Sequence, residues 1–588
     1  MIQDCVEIVT RSMDVDKLLF DNYILADGTY VIVKYQNQEF TITSVTPIKL
    51  DKKERKIAIQ GTTEYERLCK LDYYSRLIEM NKPVDSKKQV HSNNYLSFFI
   101  KKETLTSGKL TQSIIDGYYE AILHPEKKYG KNKKDMELFQ MSQTQVPNIP
   151  VEKVSLVKQW ILGNIFALPF PVEGKDYLKF FFIFDSEEEV ITEGKRYLIP
   201  NIYNSNSYNI NNAEQIYGLP NNNLGMNAKK PYLEHKTRKV RVPILKTVDE
   251  VLNQKKFYDL LINYAAQGLY NIYFDMEHKK VIPLTNKELP SSDLYGCYLR
   301  ISKGKNEAQI DDMKIVEGYK TDLMTSCTFT DYLDLDSEEC AGIGYGSIGK
   351  IQDMRQVIND VFFSNYLINN FFTDAKDISI NDTVLKLSLL SSRDVLFEWF
   401  YLGERQSIGG ILDKVSLDLV ENSISQGYFK KVKHQFNLRM SLLEYFNRKR
   451  IGVNTMMEIR EELRKKMNSS EESYIHTDQE YYYAVGQLVN YFISLDKTHK
   501  KTHSLANPFF TAKNNDVIKQ MLHGLFLKYD YAIGIHRAKF NRLYSMMCHY
   551  IPTTKVDTDY IIAGYISNSL IYEKSEKNNN ESMEVDYE

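Results

Sequence analysis

Apolar residues change their spacing along this chain, and the change divides it. After about Gly427 they recur every three or four residues, the interval that lines one face of an α-helix. Phe429, Val432, Phe436, Met440 and Leu443 make one such stripe, with Lys430, Lys431, Lys433 and Arg439 on other faces. Thr477 and Glu480 stand in the T-x-x-E order of a capping box. They predict a helix start ahead of a stripe of Tyr482, Val485, Leu488, Val489, Phe492 and Leu495. The same interval returns between Val517 and Tyr529, in Phe540, Leu543, Tyr544 and Met547 before Pro552, and in Ile561, Ile562, Tyr565 and Ile566 after Asp557. Short connections between such helices predict an antiparallel bundle.

Ahead of that region two periods are mixed. In "YILADGTYVIVKY", Asp27-Gly28 lies between apolar runs and predicts a hairpin, because a two-residue turn needs the positive φ that glycine adopts freely. "EYERLCKLDYYSRLIEM" places Tyr65, Leu68, Leu71, Leu77 and Ile78 at helical spacing. "LKFFFIF", Leu178 to Phe184, reads as a buried strand and "KRYLIPNIY" as another, whereas Gly130 to Pro150 loses its period and reads as a polar connection. A helix is expected over "FYDLLINYAAQGLY". The predicted class is α+β: strands and helices over 1–426, open to division into two subdomains, then a helical bundle over 427–574 and a disordered acidic tail over 575–588.

A chain of 588 residues exceeds what one core serves, in keeping with several domains. Its net charge of -2 excludes nucleic-acid binding through bulk positive charge and confines any such role to a local patch. Six scattered cysteines without a CxxC pair suggest neither a zinc site nor a disulfide framework. The start lacks the basic-then-apolar pattern of a secretory signal, and no apolar run is long enough to span a bilayer. A cytoplasmic protein that avoids membranes is therefore expected.

Candidate chemistry is sparse. "GIGYGSIGK" offers Gly344, Gly346 and Gly349 in G-x-G-x-x-G order with Lys350 after them, the makings of a nucleotide-dependent enzyme. Ile351 stands where Ser or Thr would hold magnesium, and the acidic residues upstream do not read as a buried strand, so a loop is the preferred reading. His499 and His503 have i, i+4 spacing without the glutamate of a zinc-binding helix, and read as a solvated polar loop. Asp334, Asp336, Glu338 and Glu339 read as an exposed acidic face. No catalytic centre, metal site or cofactor is expected.

One stretch remains, "YGLPNNNLGMNAKKPYLEHKTRKVRVP", Tyr217 to Pro243. Asn221, Asn222, Asn223 and Asn227 supply amides that donate to and accept from base edges. Gly218 and Gly225 free the backbone, and Tyr217 and Tyr232 offer stacking faces. Lys229, Lys230, Lys236, Arg238, Lys239, Arg241 and Lys246 follow with Glu234 as the lone acid, a set suited to phosphates. Alone, the charge run also fits a solvated face, and "VRVPILK" an edge strand with protective charges.

"GLPNNNLGMNAKKPYLEHKTRK", together with "NNYLSFFIKK", "YYYAVGQLVNYFISL", "NPFF", "FLKYDYAI" and "DYIIAGYISNSLIYE", resembles the large subunit of the type I-B CRISPR surveillance complex, Cascade. The resemblance covers most of the chain and is most specific over Asn221 to Lys239. It implies a non-catalytic part in RNA-guided antiviral defence: checking the protospacer-adjacent motif in target double-stranded DNA, helping to open the duplex and stabilise the R-loop, and recruiting a separate helicase-nuclease. The implied partners are crRNA-bearing Cascade with its backbone subunits. The C-terminal helices resemble the small subunit, which this family also makes by internal translation, with Met440, Met456 and Met457 as candidate starts. On this reading Asn221, Asn222, Asn223 and Asn227 probe the motif, while Lys229, Lys230, Lys236, Arg238 and Lys239 hold the adjacent backbone. Lys430, Lys431, Lys433, Arg448, Lys449 and Arg450 steady the displaced strand or the guide. The rival readings are the nucleotide-dependent enzyme and a structural scaffold whose basic loop meets RNA or protein.

Overall fold

The computed structural model describes residues 2–51, 53–212, 215–221, 237, 239, 242, 244–304, 307–449, 453–496, 503–534 and 537–573. They form an α+β protein of two compact units. One comprises Met1–Thr285 and Tyr295–Ile315, the other Asn286–Leu294 and the chain from Val316 onward. The division thus falls well ahead of the expected 426. Helices Ile408–Ser425 and Phe429–Tyr445 form a hairpin turned at Gly427, φ 76°, and a cut there would split one core. Arg439 Nη2 reaches Asp413 Oδ1 at 2.9 Å, and Ser423 Oγ donates to Gln435 Oε1 at 2.7 Å across the hairpin.

The first unit is built on strands β1 (Gly28–Gln36), β2 (Glu39–Ile48), β3 (Ser97–Lys101) and β4 (Tyr177–Ile183), in the order β2-β1-β4-β3. β4 runs parallel to β1 and antiparallel to β3, and its Leu178, Phe180, Phe181 and Phe182 are fully buried, as the apolar run predicts. The hairpin lies elsewhere than at Asp27-Gly28. β1 turns into β2 at Asn37 and Gln38, whose φ of 54° and 65° supply the two left-handed positions of a tight turn. Gly28 is instead a strand residue, where an added Cβ would lie 2.5 Å from the Tyr177 carbonyl oxygen. Asp27 accepts from the Leu50 amide at 2.8 Å.

Two further expectations are overturned. Gly130 to Pro150 contains a helix, Lys133–Gln143, whose buried face is only Leu138, Phe139 and Ser142, too narrow a stripe to stand out from its charges. "KRYLIPNIY" runs through the end of helix Glu188–Asn201, which takes Pro200 in its last turn and gives up one backbone hydrogen bond there. Helix Val248–Gln267 starts well ahead of Phe257. A full capping box of Thr247 and Glu250 opens it, and Gly268 at φ 83° closes it. Strands β5 (Ile210–Asn212) and β6 (Gln215–Tyr217) pair with each other. β7 (Asn271–Asp275), β8 (Lys280–Leu284), β9 (Leu294–Lys303) and β10 (Ala308–Tyr319) form a second sheet, ordered β10-β9-β7-β8.

Charge also lies inside this unit. Asp72, on helix Thr63–Ser75, binds the Lys179 ammonium of β4 and accepts from Tyr23 Oη at 2.8 Å. Asp259, on helix Val248–Gln267, binds Lys255, Arg76 Nη2 at 3.0 Å and Tyr73 Oη at 2.9 Å.

Helix Asp478–Ser494, buried over most of its length, is the axis of the second unit and crosses helix Thr558–Ile566 in backbone contact. Gly486 faces the Ile561 carbonyl and Gly564 the Tyr483 carbonyl, and a Cβ on either would overlap that oxygen. Polar side chains lock the crossing: Gln487 donates to the Gly564 carbonyl at 2.6 Å and accepts from Leu570 N at 2.8 Å, and Asn490 donates to the Tyr565 carbonyl at 2.7 Å. At the helix start Thr477 accepts from Glu480 N at 3.2 Å, but Glu480 takes the His476 amide at 2.8 Å, so the expected box is half made. His503 is no solvated loop residue. It bonds Tyr565 Oη at 2.8 Å and packs edge-on against Phe429; His499 lies outside the described residues, as does the tail 575–588.

The crossing and the start of helix Asp478–Ser494 each generate a test. Gly564→Val is expected to destabilise the second unit by about 3 kcal/mol, read by denaturant unfolding, because the two backbones must separate. Asp478 is buried, yet its carboxylate accepts from Tyr550 Oη at 2.8 Å, Thr553 N at 3.1 Å and Thr554 N at 2.7 Å. Burial alone would raise its pKa, but these bonds from Thr554, Tyr550 and Thr553 outweigh it and hold the group down at about 2. Its contribution is therefore complete above the ordinary carboxyl pKa of about 4 and is lost as pH falls toward 2. Thermal melts from pH 5 down to pH 2 should show this fall in the native chain and a shallower one in Asp478→Asn.

Candidate nucleic-acid interface

The described residues on either side of the amide- and cation-rich stretch meet in one clamp. Gly218 N donates to the Lys246 carbonyl and Lys246 N to the Gly218 carbonyl, both at 2.9 Å, so the chain leaves and returns at a single point. Asn204 N donates to the Leu219 carbonyl at 2.9 Å beside it. Buried Tyr203 ties both arms, since its hydroxyl reaches the Ile216 carbonyl at 2.7 Å and the Lys246 carbonyl at 2.9 Å. Glycine is required at 218 because a Cβ there would run into the Tyr203 ring and lie 2.5 Å from Asn209 Oδ1. Lys246 Nζ donates to Gln254 Oε1 at 2.6 Å, and burial lowers its pKa. The clamp rests on an apolar cluster of Leu138, Ile199, Ile202, Tyr203, Ile216, Val248 and Val251.

A second basic element adjoins this clamp, one that periodicity did not reveal. Lys134 Nζ donates to the Ser207 and Asn209 carbonyls at 2.8 and 2.7 Å, and Asn206 Nδ2 donates to Asp135 Oδ1 at 2.7 Å. Helix Lys133–Gln143 is thereby fixed against the turn before β5, with Lys127, Lys131 and Lys133 exposed around its start. Lys128 lies over Tyr129 at 5.3 Å and is pushed down to about 8, first by burial and then by the like charge of Lys82. The signal was present in "EKKYGKNKKD", whose lysines are as dense as those of the later stretch.

Of the predicted DNA-contacting residues, Asn221 and Lys239 are described. Asn221 is half-buried beside Asn204 at 3.5 Å, and Lys239 is exposed. Asn222, Asn223, Asn227, Lys229, Lys230, Lys236 and Arg238 lie outside the described residues. In the second unit the predicted cations divide. Lys430 and Arg448 are exposed, Arg448 Nη2 lying 3.7 Å from Asp413, and Lys431 is half-buried with a pKa lowered by that burial. Lys433 pairs with Glu339 at 3.2 Å, and Lys449 with Asp557 at 2.6 Å and Asp559 at 2.8 Å. These last two hold the fold, their charge already matched by carboxylates; Arg450 lies outside the described residues.

The glycine-rich segment is a loop over Gly342 to Tyr345, as expected, and a strand from Gly346 to Lys350. β11 (Asp322–Phe329) pairs antiparallel with β12 (Gly346–Lys350), which runs directly into helix Ile351–Val361. No phosphate-cradling loop separates strand from helix, and the Ile351 amide already donates to the Thr321 carbonyl at 2.9 Å. In the acidic stretch Asp334 faces Arg460 at 3.7 Å and Glu339 holds Lys433. Among the described residues no three His, Cys, Asp or Glu side chains gather as metal ligands would. No protein-family model, curated protein or solved structure matches the chain.

The sequence thus places amides and ammonium groups on a segment whose two ends are held together at Gly218 and Lys246. Tyr203→Phe removes the hydroxyl that joins both arms. It should lower stability by about 1 kcal/mol and speed limited proteolysis between 219 and 245, with cleavage elsewhere unchanged.

Proposed function

We propose that this chain is a non-catalytic, cytoplasmic large subunit of a type I-B Cascade. It acts with crRNA and the backbone subunits to recognise the protospacer-adjacent motif in double-stranded DNA, to help open the duplex and hold the R-loop, and to help recruit a helicase-nuclease. The observation that carries the reading is the stretch Asn221 to Lys239 closed on the Gly218–Lys246 clamp: amides for bases, cations for backbone, one rigid base. Among the described residues, no helix is long and apolar enough to cross a membrane.

Replacing Asn221, Asn222 and Asn223 with alanine is the direct test. In the reconstituted complex, motif discrimination should disappear while assembly persists. Replacing Lys229, Lys230, Lys236 and Lys239 should weaken binding to every sequence and flatten its salt dependence. Targets bound equally well by native complex whatever sequence flanks the matched site would overturn the reading, and loss of assembly instead of discrimination would favour a scaffold for RNA or protein. A separately translated C-terminal product is part of this proposal. One starting at Met456 would lack Val420, Ile424, Val432, Phe436 and Met440 of the shared core and would need the complex to cover what they leave bare.

A further inference from the structure

One cluster in the first unit joins three cations to two carboxylates. Lys179, Arg76 and Lys255 face Asp72 and Asp259 in one connected cluster: Lys179 and Tyr23 bind Asp72, the Arg76 guanidinium covers the Tyr23 and Tyr73 rings at 5.4 and 4.8 Å, and Asp259 gathers Arg76, Lys255 and Tyr73. Burial raises the pKa of Tyr23, Tyr30 and Tyr73, so these phenols stay neutral and the sum is one positive charge. Carboxylates nearby are engaged elsewhere, Glu193 with Arg196 at 2.9 Å and Asp16 with Lys256 at 2.6 Å. The side chains of Lys179, Asp72, Lys255 and Asp259 are at most 10% exposed, whereas Arg76 is 34% exposed.

The excess charge therefore reaches the surface at Arg76, and a cavity lies there. It has a volume of about 20 Å³, is lined by Arg76, Lys255, Tyr73 and Asn93, and is walled by Leu77 and Leu198. That is room for a single water-sized particle, too little for a phosphate. Apolar walls strengthen the attraction between a cation and an anion seated against it. Burial lowers the pKa of Lys255, and the Asp259 carboxylate pulls it back up.

We propose that this cavity is a binding site for one monatomic halide, chloride in the cell, held between the Arg76 guanidinium and the Lys255 ammonium. It is independent of the nucleic-acid reading. The test uses the full chain. At fixed ionic strength, exchanging gluconate for chloride should raise Tm saturably by about 2 °C, and Lys255→Met should abolish the chloride dependence. Bromide-soaked crystals of the native protein should show an anomalous peak touching both Arg76 and Lys255. The absence of that peak overturns the proposal even if Lys255→Met fails to fold, and so does a chloride dependence that survives in a folded Lys255→Met.

Discussion

The fold of the first unit depends on ionic contacts made inside it. Asp72 joins helix Thr63–Ser75 to β4 through Lys179, and Asp259 joins helix Val248–Gln267 to the end of that first helix through Arg76. Removing charges from water costs more than most packing contacts return, so such groups are tolerated only with close partners and satisfied hydrogen bonds. Here the partners are other ions, tyrosine hydroxyls and tyrosine faces: Lys179 lies over Tyr30 and Phe99 at 4.8 and 4.9 Å. An apolar core tolerates sliding, whereas a carboxylate that must meet one ammonium sets the register of the elements carrying them.

The second unit uses a related device at a different place. Arg439, buried in helix Phe429–Tyr445, bonds Asp413 and Asp559, and Lys449 bonds Asp557 and Asp559. These bonds fix the start of helix Thr558–Ile566, while Gly486 and Gly564 let that helix touch helix Asp478–Ser494. Several cations of the helical region therefore hold the bundle together. A charge run read along a helix does not distinguish a lysine facing solvent from one facing a carboxylate a hundred residues away.

For function, the consequence is a division of labour between rigid and exposed parts. The clamp at Gly218 and Lys246 is held by two backbone hydrogen bonds, by Tyr203 and by an apolar cluster, so what it presents keeps a fixed base. Exposed lysines near the start of helix Lys133–Gln143 widen the positive surface beside it. A chain close to neutral overall thus carries a local density of exposed lysines at Lys131 and Lys133, close in space to the clamp through Lys134.

The sequence by itself determined the elements whose signal is local. The aromatic run of β4, the stripes of helices Phe429–Tyr445, Asp478–Ser494 and Thr558–Ile566, and the α+β class were all legible, because period and side-chain type fix which face is buried. So was the position of the amide- and cation-rich stretch. Tertiary structure alone decided the rest. Gly28 became a strand residue because β4 lies beside it, the turn passed to Asn37-Gln38, and "KRYLIPNIY" became helix under the same apolar content that suggested a strand. It also decided that Lys433 and Lys449 bind carboxylates distant in sequence, and that Gly218 closes on Lys246. Local pattern encodes which surface of an element is apolar; which partner meets that surface depends on contacts between residues far apart, and no short window of sequence contains them.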